Sequence, residues 1–334
     1  MPTAAPGTLY VYGDSYSETS GSSRKTNGPL WSERVAKGWG LQLQSYAVIG
    51  GQACRAPDVN SPSIASQVEF YKKTVDPSKQ EGDIKNVHAF FIGVTDIISS
   101  TKYQAASLVG CIKQQLTDIY KTDPKAQVLI LGIPPLEYSP FYSNNTKHEQ
   151  IKKRVNEYNV ELEDAVTDMV NDNSEASIPI SFIDNNYLFA DILGNPSGYG
   201  LEDVDNAYWN QCQGRCSDSM DSYLWWDAIH LTGAGHKAIA DTVITKNPFD
   251  YSIIKDVSST HNNNVNDVND GTTGSSGDAG FFSSDFYLHY ASWILLGCVL
   301  LIVFIMIRPR YGLHLAMRTL GRRGKHHVYT SVPV

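Results

Sequence analysis

Ser15, Asp227 and His230 are the residues whose types and spacing suit nucleophilic acyl chemistry. A serine hydroxyl attacks a carbonyl well only when a base takes its proton. An imidazole is such a base near neutral pH, and a carboxylate behind it fixes its orientation and stabilises the imidazolium. Asp227-Ala228-Ile229-His230 sets carboxylate and imidazole three residues apart, so one turn of chain can carry both. His236 is a second imidazole nearby, but it lacks an aspartate at that offset and reads as structural. Ser15 lies in Gly13-Asp14-Ser15, where Asp14 reads as holding the turn. The tripeptide alone also fits an ordinary turn, because Gly, Asp and Ser all form turns.

The elements that must position these groups follow from apolar patterning. Leu9-Tyr10-Val11-Tyr12 runs straight into Gly13 and reads as a short buried strand. Ser15 then falls at the strand's carboxyl end, where open α/β sheets place their ligands. Pro29 to Ala36 starts a helix, Leu41 to Ile49 reads as a second strand, and Ser63 to Val75 as a helix. Val87 to Val94 is a nearly unbroken apolar run, as in a central parallel strand covered on both faces. Helix at Gln104 to Tyr120, strand at Gln127 to Ile133, helix at Thr146 to Val170 and strand at Ile178 to Asp184 continue the alternation. Such alternation predicts an α/β fold, a three-layer doubly wound parallel sheet. Residues 190–224 read as a long irregular stretch walling a cleft, and Thr232 to Val243 as the closing helix.

A serine early and Asp-x-x-His late in an α/β chain resembles the GDSL (SGNH) hydrolases, most closely the fungal secreted esterases that include carbohydrate acetylesterases. Asn27-Gly28-Pro29-Leu30-Trp31, Tyr46-Ala47-Val48-Ile49-Gly50-Gly51, Phe91-Ile92-Gly93-Val94-Thr95-Asp96 and Pro134-Pro135-Leu136 occur in the order this resemblance requires. It covers roughly residues 8–245. It implies a flavodoxin-like sheet and a serine esterase acting on a small ester or acylated carbohydrate. It implies an oxyanion hole made by the Ser15 amide, the Gly50 amide and an Asn side chain, with Gly51 as the alternative register. Here the family's Gly-x-Asn-Asp is Gly93-Val94-Thr95-Asp96. Thr95 offers one donor on a shorter arm where an amide has two. A catalytically weakened enzyme, or a silent carbohydrate-binding surface protein, is therefore an alternative, as is a lipid acylhydrolase. The resemblance also implies a Cys212–Cys216 disulfide, hence an oxidising compartment. Trp31 and Trp226 are candidates for the substrate cleft, with core packing as the alternative for each.

The chain has 334 residues and a net charge of -8, which argues against nucleic acid as a partner of the main domain. No Cys-x-x-Cys or His cluster suggests a metal, and the proposed chemistry needs no cofactor. Cys54 and Cys111 cannot be paired from sequence.

Domain boundaries follow composition. Residues 1–255 form the esterase-like domain, and 256–286, rich in Asn, Asp, Ser, Thr and Gly, read as a disordered linker. Residues 287–307 carry no Asp, Glu, Lys or Arg and are long enough to cross a bilayer as a helix. Residues 308–334 are basic, which places them in the cytosol and the large domain outside or in a lumen. Asn144-Asn145-Thr146 is a glycosylation sequon. Residues 1–7 hold no apolar core for a signal peptide, which conflicts with this topology, and the expectation is a true start further upstream.

Overall fold

A computed structural model describes residues 7–20, 25–55, 62–75, 85–171, 179–213, 215 and 219–254. The expected linker, membrane span and basic tail, and Cys216, lie outside the described residues. Among the described residues no helix is long and apolar enough to cross a membrane.

Five parallel strands form the centre: β1 (Thr8–Gly13), β2 (Gln42–Ser45), β3 (Val87–Phe91), β4 (Gln127–Leu131) and β5 (Ile180–Ile183). Their order is β2-β1-β3-β4-β5, with Gly13 beside Phe91 and Leu9 beside Leu43. The apolar runs of β1, β3 and β4 are buried almost throughout, as a sheet with helices on both faces demands. On one face Tyr10 and Tyr12 pack against Tyr71 of α2 (Ile64–Thr74). On the other Phe91 packs against Trp31 of α1 (Trp31–Trp39). The expected three layers are thus present.

After β2 the chain crosses back over β1 to form β3. This reversal opens a crevice beyond the carboxyl ends of β1 and β3, which is where such sheets hold ligands. Two segments leave the sheet there. One is the turn Asp14–Ser17. The other enters α3 (Val94–Ser99) through Gly93. Helices α4 (Ala105–Thr122) and α5 (His148–Asn171) follow, then α6 (Asn185–Gly194).

Two expectations change. The second strand ends at Ser45, not Ile49. Tyr46 donates its amide to Val11, but the backbone then turns, with Val48 bonded to Gly13 and Gly51 to Val48. The stretch 190–224 is not irregular throughout. It holds a parallel pair, β6 (Asp203–Ala207) and β7 (Tyr223–Trp225), and a short helix α7 (Tyr208–Cys212). Asp203-Val204-Asp205-Asn206-Ala207 has no apolar alternation to announce a strand. The last helix, α8 (Gly233–Lys246), is capped by the Thr232 side chain accepting from the Gly235 amide.

Candidate active site

Gly13 ends β1 where a side chain has no room: a Cβ there would meet the Phe91 carbonyl at 2.4 Å. The chain then turns at once, with the Ser17 amide donating to Asp14 O at 3.1 Å and the Tyr16 amide to Asp14 Oδ1 at 3.1 Å. Ser15 sits at the head of this turn and is buried. Its Oγ lies 3.0 Å from His230 Nε2, across 215 positions of sequence.

His230 comes from the loop between β7 and α8. Trp225 and Leu231 form an antiparallel bridge, and the Trp226 amide donates to His230 O at 2.7 Å. Inside this closed loop Asp227 Oδ1 accepts from the amides of Ile229 and His230, at 3.0 and 2.8 Å. The same carboxylate lies 2.8 Å from His230 Nδ1 through both oxygens. An ionised carboxylate only accepts, so the proton of the neutral ring belongs on Nδ1 and the Nε2 lone pair faces Ser15. Burial pushes the Asp227 carboxyl up, but hydrogen bonds from and the charge of His230, with the two amides, outweigh it and hold the group below its ordinary range. The three side chains singled out in the sequence therefore form one connected row.

Tyr16, which sequence reasoning passed over, joins the two halves of this row. Its hydroxyl donates to the Ile229 carbonyl, one residue before His230, and its ring lies 5.8 Å from the imidazole. Its only sequence signal is adjacency to Ser15. His236 is buried in α8 near the Tyr16 ring and makes no part of the row. Asn27 reaches the start of α8, accepting from the Gly233 amide at 2.7 Å.

Three groups near the carboxyl ends of β1, β2 and β3 are left over for hydrogen bonding. The amides of Ser15 and Gly50 donate to nothing among the described residues, whereas Gly51 donates to Val48. Gly50 is thus the free amide of the two glycines. Thr95 Oγ1 is the third: the residue is 5% exposed and its hydroxyl has no partner among the described residues. Gly93, with φ at +127°, brings the chain to Thr95. A Cβ at Gly93 would also strike the Tyr158 ring at 2.8 Å.

Two buried carboxyls underlie these groups. Asp14 Oδ2 accepts from the Val94 amide at 3.2 Å, with the Thr95 amide beside it. Asp96 Oδ2 accepts from the Ala53 amide at 2.9 Å. Burial pushes Asp14 up to about 7, and the nearby Asp96 charge adds to this. Burial likewise raises Asp96 to about 6.

The remaining candidates divide. Trp31 is 0% exposed and donates its indole N–H to Ser17 Oγ at 3.1 Å, so it is core and not a cleft wall. Trp226 is half-buried, beside Asp227, and packs on Tyr208 and Trp209 at 5.8 and 5.5 Å between ring centroids. Trp209, unremarked in the sequence, is 51% exposed. Cys212 is disulfide-bonded, while its expected partner Cys216 lies outside the described residues. Cys54 and Cys111, unpaired by sequence reasoning, form a disulfide with Cα atoms 5.3 Å apart. Asn144 is exposed in the turn before α5. Among the described residues no group of three or more His, Cys, Asp or Glu is placed to hold a metal ion.

Comparison with known proteins gives weak individual likenesses. The thermolabile hemolysin of Vibrio parahaemolyticus is 21% identical over 236 residues, covering 66% of this chain and 54% of that protein. The chain thus spans about half the length of that curated relative. Among solved structures, a carbohydrate acetylesterase from Sinorhizobium meliloti aligns with a TM-score of 0.47 and 13% identity, covering 72% of this chain and 98% of that one. An acetyl xylan esterase from Geobacillus stearothermophilus gives 0.44 and 12%, covering 77% and 100%. A model of the GDSL-like lipase/acylhydrolase family matches residues 9–243, which span every element from the first strand to the last helix, and the chain belongs to that family.

Proposed function

We propose that this protein is a carboxylic ester hydrolase in which Ser15 is the nucleophile, His230 the general base and acid, and Asp227 the group that orients the imidazole. The reading is carried by one observation: Ser15 Oγ, His230 Nε2, His230 Nδ1 and the Asp227 carboxylate follow one another at 3.0 and 2.8 Å. Ser15 Oγ adds to the ester carbonyl as Nε2 takes its proton. The tetrahedral oxyanion is met by the Ser15 and Gly50 amides and the Thr95 hydroxyl. Collapse expels the alcohol, which receives the proton from His230, and leaves an acyl-serine. Water, deprotonated by the same nitrogen, repeats the sequence and releases the acid.

The substrate in this reading is a short acyl ester, an acetyl group on a polysaccharide. Trp226 and exposed Trp209, beside Asp227 and among the exposed polar Asn206, Asn210 and Gln211, suit the flat face and hydroxyl rim of a sugar. A lipid ester is the second reading. It is favoured by exposed Tyr138 and Phe141, the latter donating its amide to Ala228 O at 3.0 Å. Residues 287–307 would tether the domain to a membrane, with residues 308–334 in the cytosol.

Turnover of an aryl acetate by the full chain beside Ser15→Ala tests the hydrolase reading. Equal rates for the two would end it. Acetylated xylan against long-chain glycerol esters separates the two substrates.

A further inference from the structure

Ser15, Gly50 and Thr95 come from three separate segments: the turn after β1, the loop after β2 and the start of α3. A hole built from three loops works only if the loops keep one mutual geometry. Buried Tyr16, Ala53 and Val94 root the three segments in the apolar core, but the donors themselves must still be set relative to one another. Here two buried carboxyls do so by accepting backbone amides across segment boundaries. Asp14, in the first segment, accepts from Tyr16 in its own turn at 3.1 Å and from Val94 in the third at 3.2 Å. Asp96, in the third, accepts from Ala53 in the second at 2.9 Å. The geometry points to Asp14 and Asp96 as positioning residues that lock the three donor segments of the oxyanion site to one another.

This deepens the hydrolase reading and rests on it. The choice of side chain argues for it. A carboxylate accepts several N–H groups and presents no donor, whereas an amide must turn its NH₂ toward one of them. Placing two like charges in the interior is costly, and the raised affinity of both groups for protons reflects it. Asn or Ser would hold a simple turn at less cost. The unpartnered Thr95 hydroxyl lies one residue from each of Val94 and Asp96, between the two ties.

The test is a set of double-mutant cycles in the full chain on an aryl acetate: Asp14→Asn and Asp96→Asn, each alone and with Thr95→Val. Each Asn variant should lower kcat by roughly 10- to 100-fold and leave KM within about 3-fold, because the donors act in the transition state. In the Thr95→Val background the further loss should shrink by several-fold, because that hydroxyl is one of the donors each Asp positions. Equal losses in both backgrounds, or losses that only follow the folded fraction, would overturn the proposal. Hydrogen exchange supplies a second readout that needs no turnover. Asp14→Asn should deprotect the Val94 and Thr95 amides and leave β4 unchanged, and unaltered protection there overturns the tie. If the wild type is no faster than Ser15→Ala, the hydrolase reading fails, and exchange alone decides whether the carboxyls hold the segments.

Discussion

The side-chain amide of Gln67 pairs with both backbone groups of Gly13: Nε2 donates to the carbonyl and Oε1 accepts from the amide, each at 2.8 Å. Gln67 is buried in α2, 54 positions from the turn it supports. It acts as a one-residue neighbouring strand at the point where β1 must stop. Gln67→Ala should therefore leave the buried Gly13 amide unmet and its carbonyl with the Val48 amide alone, and cost about 1–3 kcal/mol in guanidinium unfolding. Gln67→Glu keeps one partner and turns the other repulsive, so it should do no better. A loss below about 0.5 kcal/mol for the Ala variant would show that water replaces the side chain without cost.

Tyr16→Phe should loosen Ser15 from His230. The hydroxyl joins the Ser15 turn to the Ile229 carbonyl, next to His230. One buried hydrogen bond of about 1–1.5 kcal/mol corresponds to a fall in kcat of roughly tenfold. Far-UV circular dichroism should not change. Unchanged kcat would mean that packing of the ring alone holds the loop.

Asp227→Asn should be more damaging than its conservative shape suggests. The carboxylate accepts from Nδ1 and from two amides of its own loop. An amide there can present NH₂ to Nδ1 and so favour the wrong tautomer, placing the ring proton on Nε2 against Ser15. A drop in kcat of about 10³–10⁴ is expected, with the fold retained. Aryl acetate kinetics on the purified variant check this, and a drop under about tenfold would remove Asp227 from the mechanism.

The Ser15–His230–Asp227 row was legible because its members announce themselves locally. Asp227 and His230 share one loop, and Ser15 follows an apolar strand that ends in Gly. The order of α/β elements gave the sheet. Bonds across long separations stayed hidden: Gln67 on Gly13, Tyr16 on Ile229, Asp96 on Ala53. Tyr16 and Asp96 sit within motifs visible in the sequence, but nothing there names the distant partner. Which of the Gly50 and Gly51 amides is already bonded also needed coordinates. Trp31 misled because an aromatic in a motif reads the same whether it faces a cleft or the core. Its indole N–H, satisfied by Ser17, settles it as core.

Stability should depend on pH through Asp14. Burial raises its carboxyl from 3.8 to about 7 in the folded protein. The folded state then holds a proton that the unfolded chain releases near 4. The stability this gives is full below the unfolded value and is lost as pH climbs through about 7. A tenfold gain in proton affinity on folding is worth on the order of 1.4 kcal/mol, and Asp96, raised to about 6 by its own burial, adds an effect of the same sign. Asp227 works with the opposite sign, its contribution fading as pH falls through its lowered value. Asp14→Asn should thus gain on the wild type as pH rises from about 4.5 to 7.5. Parallel unfolding curves at both ends of that range would show that Asp14 does not titrate there.

The Cys54–Cys111 bridge should matter to both stability and the site. It closes a span of 57 positions and ties the loop after β2 to α4. The chain-entropy argument gives about 4 kcal/mol for a loop of this length, as a ceiling. The double variant Cys54→Ser with Cys111→Ser should therefore lose roughly 2–4 kcal/mol in guanidinium unfolding. Cys54 also follows Ala53, whose amide binds Asp96, so freeing the bridge should let the Gly50 segment drift. Hydrogen exchange over residues 50–55 should rise in the variant, and kcat should fall further than KM rises. If stability drops while exchange in that loop and kcat stay as they were, the bridge stiffens the fold and leaves the crevice alone.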